Sequence, residues 1–207
     1  MKTDTLFYKI FQTFPQLVFQ LLDRDVVPGY AFTSVEVKEK GFRFDGIFAP
    51  PPASSEPIYF IEVQFQFNPD FYWQFLSEIF LYLNQQKPQQ NWQAVAIFPS
   101  ARQDVKELAS IHQELINSGR VVRIYLDEIT DRVSPELGMI KLITCREEEA
   151  VGVVKEIRSS TTDEDIIRFI GDILFYKFPK LSRREIEIMF ALEDLRQTKV
   201  FQEAKDE

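Results

Sequence analysis

The feature that most constrains the fold is a set of three strand-like runs between Ser34 and Gln66. Thr33–Lys38 and Phe42–Phe48 alternate polar and apolar residues, and Ile58–Gln66 follows a proline-rich loop. A period of two is typical of strands that are buried on one face. Gly41 closes the short turn between the first two runs, and glycine permits the positive φ of a tight hairpin. The segment therefore predicts three β-strands, the first two joined as a hairpin.

Helical patterns flank these strands. Apolar residues recur every three or four positions from Asp4 to Leu22, and Pro15 is expected to divide this run into two helices. Downstream, the patterns predict a helix over 70–84, a strand over 92–98, a helix over 103–117 and a strand over 120–126. A helix between the third and fourth strands indicates a parallel crossover. The order αβββαβ predicts an α/β fold with a mixed sheet flanked by helices.

A change of composition after Thr144 predicts a domain boundary. The charged run Arg146–Glu149 is typical of a solvated connection. Residues 1–144 are predicted to form the core with the sheet, and residues 145–207 a C-terminal helical appendage that ends in an acidic tail. Two helices are predicted there because Thr161 and Ser182 each precede a glutamate by three positions, the spacing of a capping box.

Charge and the rare residue types exclude several classes of protein. The 207 residues include 32 acidic and 24 basic side chains, a net charge of −8 that argues against broad nonspecific binding to nucleic-acid backbones. The single histidine, His112, excludes metal sites built from histidine pairs and is predicted to lie on the surface. The single cysteine, Cys145, excludes an internal disulfide and is predicted to be a buried apolar side chain.

Hydropathy argues against a membrane protein. No stretch of the chain approaches the roughly 18 to 20 apolar residues needed to span a bilayer, and the N-terminus lacks the apolar segment of a signal peptide. We therefore expect a cytoplasmic protein without a membrane partner.

Strand alternation gathers polar side chains on one face of the predicted sheet. Glu62 and Gln64 share a face of the third strand. In the hairpin, a two-residue turn at positions 40 and 41 places Glu36 directly opposite Asp45. Facing carboxylates repel each other unless a cation or a proton lies between them. Mg²⁺ prefers oxygen ligands, and Asp45 and Glu62 suit it.

A solvated sheet face would explain the same residues differently. Its acids would then pair with Lys38 and Arg43 and bind no metal. Because helices precede the first strand and follow the third, both faces should be covered, and a covered acidic face needs a compensating cation. The pattern therefore favours the metal site.

At this point the sequence resembles a known group of proteins. The order helix, three strands, helix and strand, with aspartate in the second strand and Glu-x-Gln in the third, is similar to the core of PD-(D/E)XK nucleases. The segments SVEVKEKGFRFDGIF, YFIEVQFQ and DFYWQFLSEIFLYL resemble more narrowly the Rpn-type recombination-promoting nucleases with transposase-like sequences. The resemblance covers nearly the whole chain and includes the closing LEDLRQTKVFQEAKDE.

The resemblance implies a set of catalytic residues. Asp45 and Glu62 would bind Mg²⁺, for which Mn²⁺ can substitute, and the main-chain carbonyl of Val63 would be a third ligand. Gln64 stands at the position of the family's lysine, so a neutral amide replaces a charge that helps to orient the nucleophile and to stabilise the phosphate.

Three further polar residues are accessory candidates. Lys38 could supply the missing positive charge or could pair with an acid at the sheet edge. Glu36 would be either an additional metal ligand or an ion-pair partner. Glu78, in the helix after the third strand, could face the same site, whereas Tyr72 and Trp73 of that helix are predicted to be core residues.

The implied activity is that of a metal-dependent endodeoxyribonuclease, which hydrolyses phosphodiester bonds of DNA in recombination or DNA mobility. The alternative is a catalytically inactive protein that keeps the nuclease fold and acts as an interaction module. A homodimer would suit a duplex substrate, because each active site cuts one strand. The apolar face of a C-terminal helix would form either the dimer interface or the core of one chain, through Ile166, Ile170, Ile173 and Leu174.

Overall fold

A computed structural model describes residues 3–33, 46–129 and 134–190 of the chain. The helices are α1 (Thr3–Thr13), α2 (Gln16–Leu21), α3 (Phe71–Gln86), α4 (Ser110–Asn117), α5 (Pro135–Thr144), α6 (Ala150–Ser160), α7 (Glu164–Lys177) and α8 (Arg183–Phe190). The strands are β1 (Ala31–Thr33), β2 (Gly46–Ala49), β3 (Ile58–Val63), β4 (Trp92–Phe98) and β5 (Val121–Tyr125). The chain divides into two compact units, residues 2–128 and 129–207.

The first unit contains a mixed sheet with the strand order β1-β2-β3-β4-β5. The pairs β1–β2 and β2–β3 are antiparallel, and β3–β4 and β4–β5 are parallel. Because parallel neighbours need a crossover, helices α3 and α4 each connect two parallel strands. The predicted α/β class, with a mixed sheet flanked by helices, is confirmed.

Both faces of this sheet are covered by apolar packing. On one face, α3 contributes Phe71, Phe75 and Ile79 to a buried cluster with residues from β2 to β5. On the other face, the Phe19 ring of α2 lies 5.4 Å from the Phe48 ring and 6.1 Å from the Tyr59 ring. A polar side chain on either face is therefore surrounded by covered sheet rather than by open solvent.

Helix α3 runs against the direction of β3 and β4, as its ring contacts show. At its start, the Phe71 ring lies 5.2 Å from that of Phe98, at the carboxyl end of β4. Near its end, the Phe80 ring lies 5.6 Å from that of Trp92, at the amino end of β4. Each step toward the N-terminus of α3 therefore leads toward the carboxyl ends of the parallel strands.

The first hairpin lies one residue out of the predicted register. Thr33 pairs with Ile47 and Phe32 with Phe48, whereas a two-residue turn at positions 40 and 41 would pair Thr33 with Phe48. A shift of one residue changes which side chains of the two strands share a face, so the described pairing does not follow the predicted register of Glu36 opposite Asp45. The predicted turn itself lies within 34–45, outside the described residues.

Gly46 begins strand β2 at a point of close packing. A Cβ built on Gly46 would overlap the ring of Phe32 on the neighbouring strand. The close approach, rather than an unusual backbone angle, requires glycine here.

Helices α3 and α4 begin later than predicted. Helix α3 starts at Phe71 rather than at residue 70, and just before it the Asn68 side chain accepts a hydrogen bond from the Asp70 N–H at 3.0 Å. Helix α4 starts at Ser110 instead of near Gln103. The predicted break at Pro15 and the predicted end of α4 at residue 117 are both observed, and Gly119, which has φ of 72°, follows that end.

The later start of α4 has a physical cause in Asp104, which is 3% exposed. One of its carboxylate oxygens accepts from the Tyr72 hydroxyl and from the Val105 N–H, both at 2.7 Å. The other oxygen accepts from the Tyr125 hydroxyl at 2.6 Å and from Arg123 at 3.1 Å. Burial, and then the hydrogen bond to Asp104, raises the pKa of both phenols above the usual value of 10.0.

The second unit is built from helices, among the residues described. Helix α5 packs against α6 and α7, so it belongs with the C-terminal helices, whereas the predicted boundary followed Thr144. The predicted capping box of α8 forms, since the Ser182 hydroxyl accepts from the Glu185 N–H and the Ser182 N–H donates to the Glu185 carboxylate. The four apolar residues of α7 that could have formed a dimer interface, Ile166, Ile170, Ile173 and Leu174, are buried within the single chain.

Replacement of Asp104 by alanine should destabilise the first unit by about 3 to 5 kcal/mol, because it leaves a partly buried arginine and two buried hydroxyls without their acceptor. The midpoint of urea unfolding, followed by circular dichroism, measures the change. Asp127→Ala removes an exposed aspartate from the same unit and is the control, with an expected change within about 0.5 kcal/mol. Equal midpoints for the two variants would contradict the role of Asp104.

Candidate active site

Glu62 lies near the carboxyl end of β3, on the face that α3 covers. Its neighbours two and four residues earlier, Phe60 and Ile58, belong to the cluster beneath α3, and alternation puts Glu62 on the same side. It pairs across the parallel ladder with Ala96, and its side chain is half-buried. A carboxylate is thus held at the end of a central strand, beside the parallel pair β3–β4.

Gln64 extends the ladder by one residue beyond β3. Its N–H donates to the Ile97 carbonyl at 2.8 Å, and its side-chain amide donates to the Gln66 carbonyl. Val63, whose carbonyl was the proposed third ligand, is itself buried on the opposite face. Glu62 and Gln64 therefore lie on one face, as strand alternation predicts.

The structure brings Glu78 toward Glu62. The Tyr82 ring lies 5.2 Å from the Phe60 ring, which fixes the level of α3 relative to β3. Glu78 is one helical turn before Tyr82, about 6 Å along the helix, and Glu62 is about 7 Å beyond Phe60 along the strand. Because α3 and β3 run in opposite directions, both steps lead toward the same end of the sheet. The half-buried Glu78 thus lies over the same part of the sheet as Glu62.

Asp45, Glu36 and Lys38 lie outside the described residues, within 34–45. The pairing of strand β2, which begins directly after Asp45, is nevertheless relevant to that residue. Gly46 pairs with Ile61 in the antiparallel β2–β3 ladder. Asp45 directly precedes Gly46 and Glu62 directly follows Ile61. Asp45 and Glu62, the two predicted metal ligands, are therefore each adjacent in sequence to one member of the pair Gly46 and Ile61.

The donor atoms available near Glu62 suit a hard divalent cation. Within residues 3–33, 46–129 and 134–190, no three His, Cys, Asp or Glu side chains form a metal-binding group. Glu62 and Glu78 nevertheless supply carboxylate oxygens, the donors that Mg²⁺ prefers, and Mg²⁺ commonly needs only one or two of them in addition to water. The described residues fit a magnesium site in chemistry, and Asp45 would be needed to complete it.

Arg123, a charged residue that was not identified from the sequence, lies in the same row of the sheet as Glu62. Ala96 pairs with Glu62 on one side and with Arg123 on the other. Arg123 is held by Asp104, and its side chain remains 30% exposed. A charged residue between the apolar Val122 and Ile124 was the available signal, since arginine inside a strand usually has a specific partner.

Two predictions about aromatic and histidine side chains are wrong. His112 is 4% exposed rather than at the surface, because its ring packs 4.3 Å from that of Trp73. Trp73 was expected in the core but is 54% exposed. Tyr72, by contrast, is buried as predicted. Helix α3 therefore covers the sheet with one face and presents a tryptophan to solvent on the other.

These observations define an α/β protein with a candidate acidic site at the carboxyl end of a central strand. The chain belongs to the family described as "Protein of unknown function (DUF2887)", whose model matches residues 3–190. No curated protein matches the chain. No solved structure matches it either. In the part of the chain that the structure describes, no helix is long and apolar enough to cross a membrane.

His112 should make stability depend on pH in a defined range. Burial lowers its pKa from the usual 6.5, so its contribution to stability is fully present above about pH 6.5 and is lost as the pH falls through the folded-state pKa. The melting temperature of the wild type should therefore fall more steeply from pH 7.5 to 5 than that of His112→Phe, which keeps a ring against Trp73. Parallel curves for the two proteins would refute this, and no second histidine can confuse the comparison.

Proposed function

We propose that the protein is a metal-dependent endodeoxyribonuclease of the PD-(D/E)XK type, with Asp45 and Glu62 as the ligands of Mg²⁺. The observation that carries the proposal is the pairing of Gly46 with Ile61. If this ladder continues by one residue, Asp45 faces Glu62 across adjacent strands, about 5 Å apart at the Cβ atoms. Two carboxylates at that separation repel strongly unless they share a cation.

The position in the fold supports the same reading. Ligand sites in α/β proteins commonly lie at the carboxyl ends of the strands, and Glu62 lies at that end of β3. The face is covered by α3, so the acid is not a solvated surface residue. Carboxylate oxygens at this position are donors that a hard divalent cation can use.

In this proposal the residues of the chain divide the work. Asp45 and Glu62 hold the cation, and Glu78 completes or orients the site from α3. Mg²⁺ bound there would neutralise charge on the scissile phosphate and promote the ionisation of water. Gln64 donates hydrogen bonds without charge, so it stabilises the reacting phosphate less than a lysine would. Lys38 is a candidate for supplying the positive charge that Gln64 lacks.

The geometric reason for including Glu36 in the site no longer holds. Its predicted place opposite Asp45 depended on a two-residue turn, and the described part of the hairpin is one residue out of that register. The proposal therefore rests on Asp45 and Glu62 and does not need Glu36. DNA as the substrate, and recombination or DNA mobility as the setting, rest on the resemblance to Rpn-type nucleases.

Removal of Asp45 should separate catalysis from stability. With Asp45→Ala, cleavage of supercoiled DNA in Mg²⁺ or Mn²⁺ should be abolished, whereas the metal-free melting temperature should stay unchanged or rise, because one of two repelling carboxylates is gone. Wild type should gain about 1.4 kcal/mol of stability at a metal concentration ten times Kd, and the variant should lose most of that gain. Asp25→Ala, at an exposed position, is the matched control. Identical metal shifts in Asp45→Ala and the control would show that Asp45 binds no metal.

Gln64 offers a test in the opposite direction. Gln64→Lys restores the charge found in the related nucleases and should maintain or increase the cleavage rate, whereas Gln64→Ala should lower it. Rates are measured under single-turnover conditions at saturating metal, so that metal affinity does not enter the comparison. Equal rates for all three proteins would show that position 64 takes no part in the reaction.

A second function is supported by the exposed side of α3. Trp73 and Phe80 are both more than half exposed, seven residues apart on one side of that helix. Exposed large aromatics are typical of interaction surfaces. In this alternative the fold is an inactive nuclease that binds a partner protein. Absence of cleavage with every divalent ion tested, together with unchanged stability on metal addition, would favour it.

A further inference from the structure

A small pocket opens at the amino ends of the parallel strands, at the opposite end of β3 from Glu62. Its volume is about 160 Å³, and its described lining includes Arg24, Asn91, Trp92, Gln93, Gly119 and Arg120. Organic ligands of drug size usually occupy pockets of about 300 Å³ or more. The pocket therefore suits a single compact group rather than a whole organic molecule.

Two arginines line this pocket, and both are held in place by aromatic rings. Arg24 donates a hydrogen bond to the Tyr59 hydroxyl at 2.8 Å, and its guanidinium lies 5.9 Å from the centre of that ring. The Arg120 guanidinium lies 5.1 Å from the centre of the Trp92 ring and donates to the Asn91 side chain and the Trp92 carbonyl. Their positions are thus fixed by neutral partners.

Neither arginine has an acidic partner among the described residues, and the described lining contains no carboxylate. This is unusual in a chain with 32 acidic and 24 basic residues, where an arginine could readily find an acid. Two guanidinium groups that line one small pocket repel each other. An anion between them would relieve that repulsion, and a doubly charged anion would balance both.

A third residue of the pocket, Gln93, has an acceptor atom that receives no hydrogen bond among the described residues. The Gln93 side chain donates to the Gly119 carbonyl at 2.6 Å, but its Oε1 is buried without a hydrogen-bond partner among the described residues. A buried acceptor without a donor destabilises the folded state. A protonated phosphate oxygen carries an O–H that could donate to this atom, while its charged oxygens accept from the arginines.

We propose that this pocket binds a phosphate group, held by Arg24 and Arg120 and recognised through one P–O–H by Gln93. Guanidinium groups match the oxygens of phosphate in geometry as well as in charge. The site is separate from the candidate active site, since Glu62 lies about 13 Å from Ile58 along β3. It does not depend on the nuclease proposal.

Binding is measured on the full chain with inorganic phosphate, by calorimetry and by tryptophan fluorescence. Trp73 and Trp92 are the only tryptophans, so Trp73→Phe leaves Trp92, beneath Arg120, as the sole reporter. Sodium chloride holds the ionic strength constant. Phosphate should change the fluorescence in a saturable way, and Arg24→Gln or Arg120→Gln should weaken binding at least about tenfold, the effect of one lost charge-assisted hydrogen bond.

Arg102→Gln is the matched control, because Arg102 is exposed in the same unit but does not line the pocket. Arg24 is also exposed, so Arg24→Gln should fold even if Arg120→Gln does not. Equal affinity in Arg24→Gln and Arg102→Gln, or no saturable binding by wild type, would overturn the proposal. Asp45→Ala should bind phosphate like wild type, which separates this result from the cleavage assay.

Two further ligands identify the chemistry. Sulfate carries no proton at neutral pH and should bind more weakly than phosphate, and equal binding would overturn the role of Gln93. A nucleoside 5′-monophosphate should bind at least as tightly as inorganic phosphate if the group comes from a nucleotide. Weaker binding of the nucleotide would assign the pocket to the free ion.

Discussion

The carboxylate of Asp104 holds together the parts of the sheet on which the candidate site depends. It receives hydrogen bonds from Tyr72 on α3 and from Arg123 and Tyr125 on β5. These contacts join a helix, a connecting segment and a strand that are distant in sequence. Because α3 is tied to β5 at its first turn, its remaining length is directed across the sheet toward β3. The packing of Tyr82 against Phe60 then sets the level of Glu78 along β3.

The parallel part of the sheet has different chemistry at its two ends. At the carboxyl end, Glu62 is half-buried beneath α3, and Arg123 in the same row is already neutralised by Asp104. At the amino end, Arg24 and Arg120 have only neutral partners among the described residues. The two proposals accordingly place a cation at one end and an anion at the other. Such separation is compatible with a net charge of −8, because local partners rather than the total charge decide what each end binds.

Much of the fold could be predicted from local pattern, and two of the errors have the same cause. The break at Pro15, the end at Gly119 and the capping box of Ser182 with Glu185 depend on neighbouring residues, and all three are observed. The late start of α4 and the burial of His112 depend on partners far away in the chain. Asp104 lies outside α4, where its carboxylate accepts hydrogen bonds from tyrosine hydroxyls on α3 and β5. His112 is covered by Trp73. Period-two alternation favoured a two-residue turn, and the observed pairing of β1 with β2 is one residue away from that register.

The contact between Gly46 and Phe32 makes one position unusually sensitive. Any side chain at position 46 must displace the Phe32 ring of the neighbouring strand β1. The dipeptide Asp45-Gly46 is therefore constrained in two ways. The proposed metal site requires the carboxylate of Asp45, and the packing of Phe32 requires that position 46 carry no side chain. A variant at Gly46 is therefore expected to disturb the packing of β1 against β2 while every polar residue stays in place, so a loss of function at this position would not by itself identify a catalytic residue. The volume of a side chain at position 46, rather than its chemistry, decides which residue is tolerated.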